Sequence, residues 1–104
     1  TEPLYVAKII PETNTVVVAT RKEVETNNCY IKNFYINPAY KNALNNKQFI
    51  VKIRYNDKGN KANIYIEDTS KISIKFITNV FAITPGQSAV IYDNDIVVGG
   101  GIIY

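Results

Sequence analysis

Histidine, methionine and tryptophan are absent from these 104 residues, and cysteine occurs once. Each absence excludes some chemistry. Without histidine the commonest general base is missing. A single thiol can form no internal disulfide, which fits a reducing compartment. Cys29 has no activating base and no second thiol with which to hold a metal. Its expected place is that of a small buried apolar side chain. No apolar run approaches the ~20 residues of a membrane-spanning helix, and no signal peptide is visible. The expected location is the cytoplasm.

What is present favours strands. Hydrophobic residues make up 46% of the chain, too many for a disordered tail. Isoleucine, valine and tyrosine dominate, and β-branched and aromatic residues fit a pleated surface. The length predicts one domain over residues 1–104 with a single modest core. A net charge of +3 and a pI near 9.0 are a mild bias toward a polyanionic partner. The chain opens on Thr1-Glu2-Pro3 without an initiator methionine. Processing, a cut tag or excision from a longer protein would each leave such a start.

Short strands punctuated by turn residues follow one another along the chain. Leu4 to Ile10 and Thr15 to Thr20 flank Pro11-Glu12-Thr13-Asn14, an expected hairpin. Arg21 to Asn28 reads as a loop, Cys29 to Ile36 as a strand, and Ala39 to Asn46 as room for one helical turn. From Gln48 to Tyr55, Val51, Ile53 and Tyr55 alternate with Lys52 and Arg54. One face can pack while the other meets solvent. Asp57 to Asn60 is a turn, and Ala62 to Glu67 a strand. Asp68-Thr69-Ser70 is a turn, and Ile72, Ile74 and Phe76 mark another half-buried strand. Ala89 to Tyr92 and Ile96 to Ile103 form a closing pair. This spacing predicts an all-β sandwich or small barrel.

Thr84-Pro85-Gly86-Gln87 suits a type II turn: Pro85 presets φ, and Gly86 accepts the positive φ of the third position. Gly99-Gly100-Gly101 sits in a strand, where glycine weakens pairing. Such a run is expected where the chain bulges, bends or meets another backbone closely. Asp93 and Asp95, like Glu67 and Asp68, fall at turns, where Asp bonds local backbone. No metal site and no acid–base pair is expected from them.

The ending Ala82-Ile83-Thr84-Pro85-Gly86-Gln87-Ser88-Ala89-Val90-Ile91-Tyr92, a polar turn, then Gly99-Gly100-Gly101-Ile102-Ile103, resembles the C-terminal segment of bacterial tRNA-specific 2-thiouridylases. Pro3-Leu4-Tyr5-Val6, with Lys8-Ile9, and Lys52-Ile53-Arg54-Tyr55 add to the likeness. Two departures stand out. Asn56-Asp57 replaces a further basic residue, and Thr26 to Lys47 diverges. The resemblance implies a small closed antiparallel barrel of about six strands, similar to domain 2 of elongation factors. It implies a C-terminal fragment of a multidomain enzyme that thiolates wobble uridine 34. That parent enzyme uses ATP with Mg, and two cysteines and a Ser-Gly-Gly-x-Asp-Ser loop that are missing here. The fragment itself is expected to be inactive, with no catalytic residues and no cofactor. Its implied partners are the tRNA anticodon stem-loop, the N-terminal catalytic domain and a sulfur-carrier protein.

By the same resemblance, Arg54, Tyr55 and Gln87 contact tRNA; Lys52, on the solvent side of the same strand, is a candidate non-specific phosphate contact. Their chemistry allows it: Arg forks onto phosphate, Tyr stacks on bases, and Gln donates and accepts. Alternation alone reads them differently, with Tyr55 pointing inward, Arg54 solvated and Gln87 a turn position. Lys8, Lys32, Lys58, Lys61 and Lys75 add diffuse attraction for phosphates or are ordinary surface. The rival functions are a protein–protein docking barrel and a structural lid that touches no RNA.

Overall fold

Alternating β-branched residues roll most of the chain into a cylinder. A computed structural model describes residues 3–19 and 25–104. Its strands are β1 (Tyr5–Ile10), β2 (Thr15–Ala19), β3 (Glu25–Ile36), β4 (Phe49–Lys52), β5 (Asn60–Asp68), β6 (Lys71–Phe81), β7 (Ser88–Asp93) and β8 (Ile96–Ile103). Strands β3 to β8 form a closed barrel in the order β3-β6-β5-β4-β7-β8. Every neighbouring pair is antiparallel. The expected six-stranded barrel is therefore present.

The interior follows from alternation. Ile31, Val51, Ile64, Ile72, Ile74, Ile91 and Val98 have no exposed surface. Phe49 and Ile53 are sealed beside them. Removing a branched side chain from such a site costs roughly 2–5 kcal/mol. Cys29 is buried in this core as anticipated, and burial pushes its thiol up to about 11.

The glycine run answers to close backbone approach. A Cβ on Gly100 would lie 2.5 Å from the carbonyl oxygen of Ala89, and one on Gly101 would lie 2.7 Å from that of Lys32. One on Gly99 would collide with the Tyr35 carbonyl. β8 is thus squeezed between β7 and β3, and β3 bulges between Lys32 and Tyr35 on that side.

Three sequence boundaries shift. Glu25 to Asn28, expected in a loop, belong to β3, whose pairing with β6 is interrupted by a bulge between Thr26 and Asn28. Arg21 to Val24 of that expected loop lie outside the described residues. The helical turn expected in 39–46 is a pair of 3-10 turns, Pro38–Tyr40 and Leu44–Asn46, the second of which sinks Leu44 into the core. β4 stops at Lys52 instead of running to Tyr55.

The expected opening hairpin forms, but outside the cylinder: β1 and β2 make their own two-stranded sheet. Its apolar residues stay open, with Leu4, Val6, Ile9, Val16 and Val18 between 51% and 65% exposed. It meets the barrel through Tyr5, whose ring stands edge-on to Phe81 at 4.9 Å.

Candidate nucleic-acid interface

The site begins where β4 ends. Ile53 is still buried, but the next residues turn. Asp57 dictates that turn. Its carboxylate accepts from the Ile53 N–H at 3.0 Å and the Gly59 N–H at 2.9 Å. The Asn60 side chain donates to it at 3.1 Å, and the Asp57 N–H closes on the Arg54 carbonyl. A ladder donor given to a side chain cannot pair with a strand, so alternation ends at Ile53. The Asp57-x-Gly59 spacing is the Asx-turn signal that would have shown it.

Tyr55 is consequently displaced from its expected inward position. It is 99% exposed at the tip of the turn. Arg54 is exposed too, but not free. Its Nη2 donates to the carbonyls of Phe81 and Ala82, both at 2.6 Å. Ala82 adopts a left-handed φ of 55°, unusual for a residue with a Cβ. Its carbonyl also accepts from the Thr84 hydroxyl at 3.1 Å. Arg54 therefore clamps the kink that leads into the Pro-Gly turn.

That turn has the expected geometry. Gly86 has φ 94°, and the Gln87 N–H donates to the Thr84 carbonyl at 3.2 Å. Gln87 also folds back, its Oε1 accepting from the Thr84 N–H at 3.1 Å. Its amide nitrogen has no hydrogen-bond partner among the described residues. The Gly86 N–H and Gln87 carbonyl hook onto Ile103 at 2.7 and 2.8 Å.

These pieces meet. Lys52, Arg54, Tyr55 and Gln87 line one open cleft of about 620 Å³, with Ser88, Val90 and Tyr92 as its floor. The Lys52 ammonium lies 5.1 Å from the Tyr92 ring centre. All four residues singled out in the sequence thus converge on one place.

The carboxylates went unread in part. Asp68 does bond its own turn, accepting from Ser70 N–H and hydroxyl at 2.7 and 2.8 Å. Asp93 does not. It accepts from the Tyr40 hydroxyl and the Lys47 ammonium, each at 2.8 Å. Those bonds hold its carboxyl below the usual range and raise the Tyr40 phenol. They staple the 3-10 segment to the end of β7. No cluster of three metal-ligating side chains occurs among the described residues.

A cationic, aromatic and amide-lined cleft thus lies on the wall of a closed antiparallel β-barrel. The chain belongs to the aminomethyltransferase β-barrel domain family, whose model matches residues 26–103. It is 42% identical over 104 residues to the tRNA-specific 2-thiouridylase MnmA of Acetivibrio thermocellus, across 98% of this chain and 28% of that protein. With MnmA of Lachnoclostridium phytofermentans it shares 40% over 101 residues, across 97% of this chain and 28% of the relative. With MnmA 2 of Phocaeicola vulgatus it shares 36% over 101 residues, across 96% of this chain and 28% of the relative. The likeness falls on the C-terminal region of these enzymes. The chain spans a little over a quarter of the length of these relatives.

Proposed function

We propose that this chain is the non-catalytic, tRNA-gripping barrel of an ATP-dependent enzyme that thiolates wobble uridine 34. The observation that carries the reading is the convergence of Lys52, Arg54, Tyr55 and Gln87 on one cleft. The relatives, named for their action on tRNA, supply the substrate class. Tyr55 is the base-stacking platform, since a ring this exposed gains most by covering a face. Lys52, and the guanidinium nitrogens that Arg54 does not spend on carbonyls, meet phosphate. The free Gln87 amide donates to RNA. In this reading ATP with Mg, the sulfur carrier and the chemistry all belong to the rest of the parent enzyme, in the cytoplasm. The barrel contributes position, which is worth much to a distant reaction.

A second reading, a docking barrel that braces the catalytic domain, is favoured by one feature. The β1–β2 hairpin leaves apolar side chains open on a sheet too small to be stable alone. The two readings are separated by titrating tRNA binding against salt. The grip predicts affinity that falls with salt and weakens in a Lys52→Ala/Tyr55→Ala variant. Affinity and salt slope unchanged in that variant would leave bracing as the function.

A further inference from the structure

We propose that the outer wall formed by β3, β6 and β5 is a second nucleic-acid surface, shaped for an unpaired RNA strand. It shares with the cleft only the class of ligand. In the ring order β3-β6-β5-β4-β7-β8, strand β6 lies opposite β7. The wall therefore faces away from the cleft, which is built on β4 and β7.

Strand alternation assembles it. Ile31, Ile64, Ile72 and Ile74 point into the core, so Tyr30, Lys32, Tyr65, Lys71 and Lys75 point out. The register then sets them in rows. Tyr30 and Tyr65 flank Ser73, and in the next row Asn28 and Asn63 flank Lys75. Tyr104, following β8, joins beside Tyr30, their ring centres 6.4 Å apart. The Lys71 ammonium sits 4.2 Å from the Tyr30 ring centre, and that of Lys32 sits 5.5 Å from the Tyr104 ring centre. Cation, ring, ring and cation form one ladder across the wall.

Its charge is only partly compensated: Asp68, the register partner of Lys71, is drawn to it and accepts from its main-chain N–H. Among the described residues no carboxylate makes an ion pair with Lys32, Lys71 or Lys75; the ion pair found there joins Lys47 to Asp93. The nearby Asp68 is turned onto Ser70. Lysines resting on rings are attracted by the π-face but keep their donors for an anion. Tyr65 and Tyr104 remain 41% and 46% exposed. Ammonium groups spaced between half-open rings match a strand that offers phosphates and unpaired bases together. A polyanion without unpaired bases would engage the lysines but could not stack on the rings.

The test measures binding of single-stranded oligouridylate to the 104-residue chain across a salt series. Changing Lys32, Lys71 and Lys75 together to Glu should weaken binding at least about tenfold. The salt slope should shrink by about two, at roughly 0.7 per phosphate released from a single strand. The corresponding triple Arg variant should bind like the parent. Thermal unfolding checks that each variant is folded, and a triple Gln variant replaces the Glu one if it is not. An unchanged slope in the Glu or Gln variant overturns the proposal. So does polyglutamate binding as tightly as oligouridylate, which would assign the wall to an acidic protein. The Lys52→Ala/Tyr55→Ala variant keeps the two surfaces distinct. Loss there with the wall variant intact overturns the wall and leaves the cleft reading standing. The converse overturns the cleft reading alone.

Discussion

Arg54 reaches from the exit of β4 to the carbonyl of Ala82, 28 residues further along, and holds that left-handed residue at 2.6 Å. The same nitrogen bonds the Phe81 carbonyl. The guanidinium is thus first a builder of the cleft and only then a wall of it. Arg54→Ala should lower stability by about 1–2 kcal/mol, below the full value of charged hydrogen bonds because the group is exposed. That shift is about 4–8 °C per kcal/mol in thermal unfolding of a domain this size. Arg54→Lys should restore little, because one ammonium does not reproduce the planar fork. An unaltered midpoint for Arg54→Ala would show that the kink stands by itself.

Tyr55 is the opposite case. Fully exposed, it should leave stability within about 0.5 kcal/mol when changed to Ala. The same change should weaken tRNA binding by ~1–3 kcal/mol, the range for one stacked base. Fluorescence anisotropy with labelled tRNA measures this, and Tyr55→Phe should retain most of the affinity.

The glycines divide by mechanism. Gly100→Ala drives a methyl to 2.5 Å from a main-chain oxygen that cannot move without opening the barrel. A loss of more than about 3 kcal/mol, or failure to fold, is expected. Gly86 has nothing within 4 Å of a built Cβ, so its φ of 94° is the only obstacle. Gly86→Ala should cost about 1–2 kcal/mol. Denaturant unfolding ranks the two, and a reversed order would refute the backbone-contact account of the glycine run.

Acid should loosen the Tyr40–Asp93–Lys47 staple. Asp93 has a lowered folded-state pKa, chiefly through Lys47 and then Tyr40. Its contribution is present above the ordinary carboxylate range and is lost as pH falls through the lowered value. Tyr40 is shifted upward, chiefly by Asp93. Its contribution is present below the usual phenol range and fades as pH rises through the raised value. Tyr40→Phe should abolish its alkaline flank in a stability–pH curve measured by thermal unfolding, and flatten the acid flank only in part, because Lys47 still holds Asp93.

Cys29, its thiol raised to about 11 by burial, should resist iodoacetamide at neutral pH while the barrel is folded. In denaturant it should alkylate at the rate of a free thiol. Labelling read by mass then reports opening of the β3–β6 pair, where Cys29 faces Ile74. Rapid native labelling would place Cys29 outside the core.

Most of the cylinder was readable because a strand writes its inner face at every second residue. Val51, Ile53, Ile72, Ile74 and Phe76 were placed inward and are inward. The Pro85-Gly86 turn was equally plain, since few conformations suit that pair. The errors arose where a distant or side-chain bond replaced the ladder. Tyr55 followed the alternation on paper, but the Asp57 carboxylate had taken the Ile53 N–H and ended the strand. Asp93 looked like a turn residue because Tyr40 and Lys47, its partners, are 53 and 46 residues away. β1 and β2 look like the barrel strands, since a local pattern records which residues are apolar and not what covers them.

Closure of the ring also sets an order of events. β3 is the first strand of the cylinder to be synthesised, yet one of its two flanks is covered by β8, the last. Between them Ile31 must wait for Ile103, its partner across that seam. Contacts so far apart along the chain slow folding. On the ribosome, β3 therefore spends most of the domain's translation with an uncovered hydrogen-bonding edge, and it is in that interval that a chaperone or a neighbouring nascent chain can capture it.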